Sequence, residues 1–149
     1  MACSVWLAKV SVVAIVCGVA HPAAAQSVSA SNKWSATLLF RGSRGGGDVR
    51  VEPGKKDGES RVRLSLRTMP INTQVAWDVV AGSCGDEGRP AAAAAAFRQV
   101  LIGNDGAAMV SATIPRLTPG QRYYVRVFDP STPPIDAQVF VCANLSEEQ

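Results

Sequence analysis

The chain has 149 residues, the size of one domain rather than two. Its 15 Lys+Arg against 12 Asp+Glu give a formal net charge of +3, too slight a bias to imply a nucleic-acid partner. With 47% hydrophobic and 18% charged residues, the composition argues against a disordered chain.

Residues 1–25 read as a secretory signal peptide. Lys9 closes a short charged segment, residues 10–20 are uncharged and mostly apolar, and Ala23-Ala24-Ala25 offers an Ala-x-Ala site with cleavage before Gln26. The apolar run is shorter than the roughly 20 residues that a membrane-spanning helix needs. Cys17 follows Val16, not the small residue that lipoprotein processing prefers, so lipidation is not expected. The mature protein is therefore expected outside the cytoplasm, periplasmic or secreted, with no transmembrane segment. Removing the leader leaves 124 residues and a charge of +2. It also removes His21, the only histidine.

Without imidazole there is no Ser-His-Asp or Cys-His nucleophile, and the common zinc and copper sites lack their usual ligand. No cofactor is expected. Gly45-Gly46-Gly47 lies between Arg44 and Asp48 and opens no helix, so it reads as a flexible turn and not a phosphate cradle.

Along the mature chain, residues 26–33 form a small polar tail. From residue 34 the pattern has period two, the signature of half-buried strands. Trp34, Ala36, Leu38 and Phe40 share one face. Val49 and Val51 alternate with Asp48, Arg50 and Glu52. A polar loop over 53–58 follows, and then Val62, Leu64 and Leu66 alternate with Arg61, Arg63, Ser65 and Arg67. After a turn at 69–72, one strand over 75–80 is predicted to bury Val75, Trp77 and Val79. Residues 82–90 are a loop. Ala91–Ala96 after Pro90 suit one or two helical turns packed through Phe97. Residues 100–102 are strand-like, and Asn104-Asp105-Gly106 is the clearest hairpin signal. Strands over 108–114, 122–129 and 137–143 follow, with the domain ending at 145 and a loose polar tail over 146–149. Seven or eight short strands and at most one short helix predict an all-β antiparallel sandwich or Greek-key barrel.

Two cysteines survive cleavage, Cys84 and Cys142. An exported chain with two cysteines, no Cys-x-x-Cys spacing and no histidine to activate a thiol points to a structural disulfide, not a redox pair. Closing so long a loop is worth about 4 kcal/mol in the chain-entropy model.

Residues 76–85, running from Ala76-Trp77-Asp78 to Cys84-Gly85, resemble the His-x-His, glycine, cysteine segment of copper-zinc superoxide dismutases and their relatives. Residues 139–145 resemble the closing strand that carries the partner cysteine. Residues 105–108 and 123–127 resemble strands of CHRD-type secreted modules. The resemblance implies an immunoglobulin-like or dismutase-like sandwich and the Cys84–Cys142 bond. It does not carry the activity over: Asp78 and Val80 stand near the copper histidines, and residues 85–96 hold Asp86 and Glu87 but no histidine.

Two arginine faces remain. Arg61, Arg63 and Arg67 share one; Arg122 and Arg126 share another with Tyr124 and Phe128. On neighbouring strands these would make a patch for an anionic ligand or polysaccharide; otherwise they are charges of a solvated sheet face. Met69 and Met109 as a copper-carrying pair compete with use as packing residues. Asp78, Asp86 and Glu87 offer acid–base chemistry to an alternative, carboxylate-dependent enzyme. Asn144-Leu145-Ser146 matches the N-glycosylation pattern. The expectation is an exported, non-enzymatic binding or assembly module with a protein or polysaccharide partner; a degenerate dismutase-like protein with weak copper handling is a further alternative.

Overall fold

Period-two alternation becomes antiparallel strand throughout the computed structural model, which describes residues 32–40, 45–128 and 139–148. The signal-peptide, most of the 26–33 tail and the proline-rich stretch 130–134 lie outside the described residues. Ten strands are present among those described: β1 (Trp34–Leu39), β2 (Gly46–Pro53), β3 (Glu59–Arg67), β4 (Gln74–Val75), β5 (Trp77–Ala81), β6 (Val100–Leu101), β7 (Ala108–Pro115), β8 (Tyr123–Phe128), β9 (Val139–Asn144) and β10 (Ser146–Glu147). Three of them, β4, β6 and β10, are only two residues long. They account for the excess over the seven or eight predicted.

A five-stranded sheet has the order β10-β1-β2-β3-β7, a three-stranded sheet the order β5-β8-β9, and β4 pairs with β6. The two larger sheets share one core. Trp34, Leu38, Val49, Val51, Val62, Leu64 and Leu66 enter it from the large sheet, and Trp77, Val79, Val125 and Val127 from the small one. Trp34 meets Tyr123 edge-on at 6.5 Å between ring centroids, tying one sheet to the other. Phe97 fills the same core edge-on against Trp77, whose indole N–H donates to the Arg98 carbonyl at 3.0 Å.

Three local expectations change. The single strand predicted over 75–80 divides at Ala76: Val75 pairs with Val100, and Trp77 pairs with Val127 in another sheet. The turn at Asn104-Asp105-Gly106 forms, but its flanking strands do not pair, since β6 joins β4 and β7 joins β3. Gly106 explains why. At φ 72° it takes a left-handed turn conformation, and its carbonyl accepts the Met69 N–H at 2.9 Å. The turn is docked onto the end of β3 and serves as a corner between sheets. Within the alanine run only Ala94–Ala96 makes a single 3-10 turn; Ala93 before it is extended, at φ −60° and ψ 146°, and the Ala91 N–H is bonded to the Val79 carbonyl at 2.8 Å.

Cys84 and Cys142 are joined by a disulfide, 58 residues apart in sequence. The carboxyl-terminal segment is not a loose tail. After β9 pairs with β8, Leu145 is buried and its N–H donates to the Tyr123 carbonyl at 2.8 Å; Ser146 then pairs with Ser35 of β1. One continuous segment thus links both sheets.

Candidate functional site

Alternation in β2 and β3 sends valine and leucine inward, so their neighbours face outward, and register decides which of these meet. Arg50 of β2 stands directly opposite Arg63 of β3, flanked by Ser35 of β1 and Ser111 of β7. On one side of this rung, Glu52 faces Arg61, with Thr113 beyond. On the other, Asp48 faces Ser65, between Thr37 and Met109. Arg67 lies one rung further, opposite Gly46.

Four guanidinium groups therefore share a sheet face with two carboxylates. Arg67 meets Asp48 at 3.0 Å and Arg63 meets Glu52 at 3.7 Å, both diagonally. These side chains stay well exposed, 68% for Arg67 and 48% for Arg63, so the pairs are weak and exchangeable. Arg50 and Arg61 have no carboxylate within ion-pair distance among the described residues. Like charges directly opposite on paired strands are destabilising, so the register holds Arg50 beside Arg63 against their repulsion.

Beside these rungs, where β10 pairs with β1, a cleft of about 540 Å³ opens. Its polar lining includes Ser35, Thr37, Asp48, Arg50, Ser146 and Glu148. Arg50 belongs to both the cleft and the arginine rungs.

The other predicted arginines sit elsewhere. The five do not form one patch, because β3 is flanked by β2 and β7, whereas β8 lies between β5 and β9. Arg126 is engaged in a two-point ion pair with Asp78: its Nε donates at 2.9 Å and its Nη2 at 2.5 Å. The side chains are 25% and 16% exposed, and the guanidinium also lies 5.3 Å from the Phe128 ring centroid. The Asp78 hydrogen bond raises the pKa of Arg126 above its ordinary value; burial opposes this, and the Asp78 charge adds to it. Arg122 precedes β8, and its carbonyl accepts the Gly82 N–H at 2.9 Å.

The loop over 82–90 covers the rest of that outer face. The Tyr124 hydroxyl donates to the Asp86 carbonyl at 2.6 Å, and the Ala81 N–H bonds to the Arg89 carbonyl at 2.9 Å. Gly88 approaches Ala81 and Val80 so closely that a Cβ would collide with both. The disulfide fastens this loop to β9, where Cys142 stands opposite Arg126. The Cys84 N–H donates to the Asn144 Oδ1 at 2.8 Å, so the asparagine of the glycosylation pattern also orients the disulfide loop.

The acidic residues are dispersed into structural roles. Asp78 holds Arg126, Asp86 accepts the Ser83 N–H at 2.9 Å, and Glu87 is exposed. Among the described residues no group of three or more His, Cys, Asp or Glu is placed to hold a metal ion. At the positions resembling the copper ligands, Val80 is fully buried and Asp78 is taken by Arg126, so these residues do not fit the copper-zinc centre. Met69 is buried in the core while Met109 is 75% exposed on the outer face, which separates the two methionines. No helix of the described residues is long and apolar enough to cross a membrane.

Comparison with protein-family models, curated proteins and solved structures found no match. Sequence reading missed Arg50 and the cleft. The alternation in β2 marked Arg50 as outward, but only pairing register shows that it meets Arg63, and only β10 brings Ser146 to Ser35.

Proposed function

We propose that this chain is an exported, non-enzymatic binding module that holds an anionic ligand on the outer face of its large sheet. The observation that carries the reading is Arg50 set opposite Arg63, with Arg61 on the next rung and two of these three, Arg50 and Arg61, without a carboxylate partner among the described residues. Guanidinium groups offer paired donors in a plane, the geometry that carboxylates, sulfates and phosphates accept. A fold that retains close like charges on an exposed face is served by a ligand that neutralises them. The disulfide suits an oxidising compartment, in keeping with the leader read from residues 1–25.

Two variants with the same change in net charge test it. Arg63→Ser should weaken binding of the purified protein to a sulfated or carboxylated matrix at least tenfold at low salt. Arg122→Ser should leave that binding within about twofold. Equal losses from both would mean that net charge alone drives binding, and would overturn the assignment to this face.

A further inference from the structure

We infer that the ligand is an acidic polysaccharide, whose charged groups lie on the arginine rungs and whose neutral hydroxyls enter the adjoining cleft. This rests on the preceding reading of the arginine face and narrows it. The site has two zones of unlike chemistry that meet at Arg50. On β3, Arg61 and Arg63 are two residues apart, and Arg67 lies four beyond Arg63. At about 3.4 Å per strand residue these positions span roughly 20 Å. An array of that length exceeds the reach of a single small anion and suits repeated charges along an extended chain.

The cleft next to the array asks for something different. Ser35, Thr37 and Ser146 both donate and accept hydrogen bonds, while the carboxylates Asp48 and Glu148 only accept. A ligand bearing acceptors alone would be repelled there. A ligand that brings O–H donors to Asp48 and Glu148, and carboxylates or sulfates to Arg50, Arg61 and Arg63, satisfies both zones. A sugar chain with acidic substituents carries both groups on every repeat. An acidic peptide brings carboxylates to the arginines, but its ionised side chains carry no O–H donor for Asp48 and Glu148. A lipid surface would call for apolar side chains to enter the bilayer. Among the described residues two exposed long apolar side chains stand on these rungs, Leu39 across Gly46 from Arg67 and Met109 opposite Ser65, and neither is on the rung of Arg50 or of Arg61.

The test measures binding of the purified protein to polygalacturonate, dextran sulfate, neutral dextran, polyglutamate and phosphatidylglycerol vesicles at low and moderate salt. Polygalacturonate or dextran sulfate should bind at least tenfold more tightly than polyglutamate or the vesicles, and neutral dextran should not bind. The cleft supplies a second readout. Glu148→Gln should weaken the acidic polysaccharide several-fold while strengthening polyglutamate, because it replaces a charge-assisted hydroxyl acceptor with a weaker neutral amide oxygen, a loss that only the sugar feels, and removes a repelling charge. Polyglutamate or vesicles binding as tightly as the polysaccharides, or Glu148→Gln strengthening all anions alike, would overturn the saccharide assignment and leave anion binding standing. Failure of every anion to bind would remove both. Unchanged circular dichroism and melting of Glu148→Gln would confirm that the variant is folded.

Discussion

On the small sheet, Arg126 is closed in by Asp78, the Phe128 ring and a loop fastened by the disulfide. On the large sheet, Arg50 stands exposed beside Arg63, with no carboxylate at ion-pair distance among the described residues. The two arginines occupy equivalent places, the outward side of a β-strand whose inward neighbours are valines. What differs is the covering. A covered guanidinium must be paired, because a desolvated charge without a partner costs several kcal/mol. An open one keeps its water and stays available. Arginine on the small sheet is therefore part of the architecture, and arginine on the large sheet is the surface we propose for a ligand.

Removing the cover should have the largest effect. The Cys84–Cys142 bond spans 58 residues, for which loop-closure entropy gives about 4 kcal/mol. Reduction, or the double variant Cys84→Ala/Cys142→Ala, is expected to lower Tm by about 15 °C at this domain size. Differential scanning calorimetry of oxidised and reduced protein checks it. A shift of under about 4 °C would show that the loop's hydrogen bonds to Tyr124, Asn144 and Ala81 hold it without the cross-link.

Breaking the pair beneath the cover should come next. Asp78→Ala leaves a three-quarters-buried guanidinium with no carboxylate, and is expected to destabilise the fold by about 2–3 kcal/mol. Asp78→Ala combined with Arg126→Met should recover part of that loss, since no stranded charge remains. Urea unfolding of the single and double variants gives the coupling. If the double variant is no more stable than Asp78→Ala alone, the pair is not a closed structural unit.

The sequence made the large sheet more legible than the small one. Val62, Leu64 and Leu66 alternate cleanly with arginines, so β3 and its inward face were readable from period alone. The small sheet hides its pattern: Tyr123, Tyr124 and Val125 are all buried, because loop 82–90 covers the face that would otherwise be polar. The pairing of Cys84 with Cys142 was legible, since the other two cysteines fall in the segment read as a leader. The break at Ala76 was not, as nothing in an apolar run says when a strand changes sheets. The arginine site was half legible. Parity put Arg61, Arg63 and Arg67 on one face, but membership of the face depends on register between strands distant in sequence. That register added Arg50 and separated off Arg122 and Arg126.

The smallest expected effect lies on the open face, and its sign matters more than its size. Arg50→Ser removes one of two like charges that face each other across β2 and β3. It breaks no ion pair among the described residues, because Arg63 remains with Glu52 and Arg67 with Asp48. Serine costs some β-propensity relative to a long side chain, while relief of repulsion acts in the opposite direction. Surface substitutions of this kind normally stay within about 0.5 kcal/mol. Tm is therefore expected to move by no more than about 2 °C, and to move upward at low salt. Because exposed charges are screened over about 10 Å at 0.1 M salt, the gain should shrink as salt rises. Melting curves at two ionic strengths are the check. A salt-independent fall of more than about 4 °C would mean that Arg50 is structural, as Arg126 is, and the contrast between the two faces would be lost.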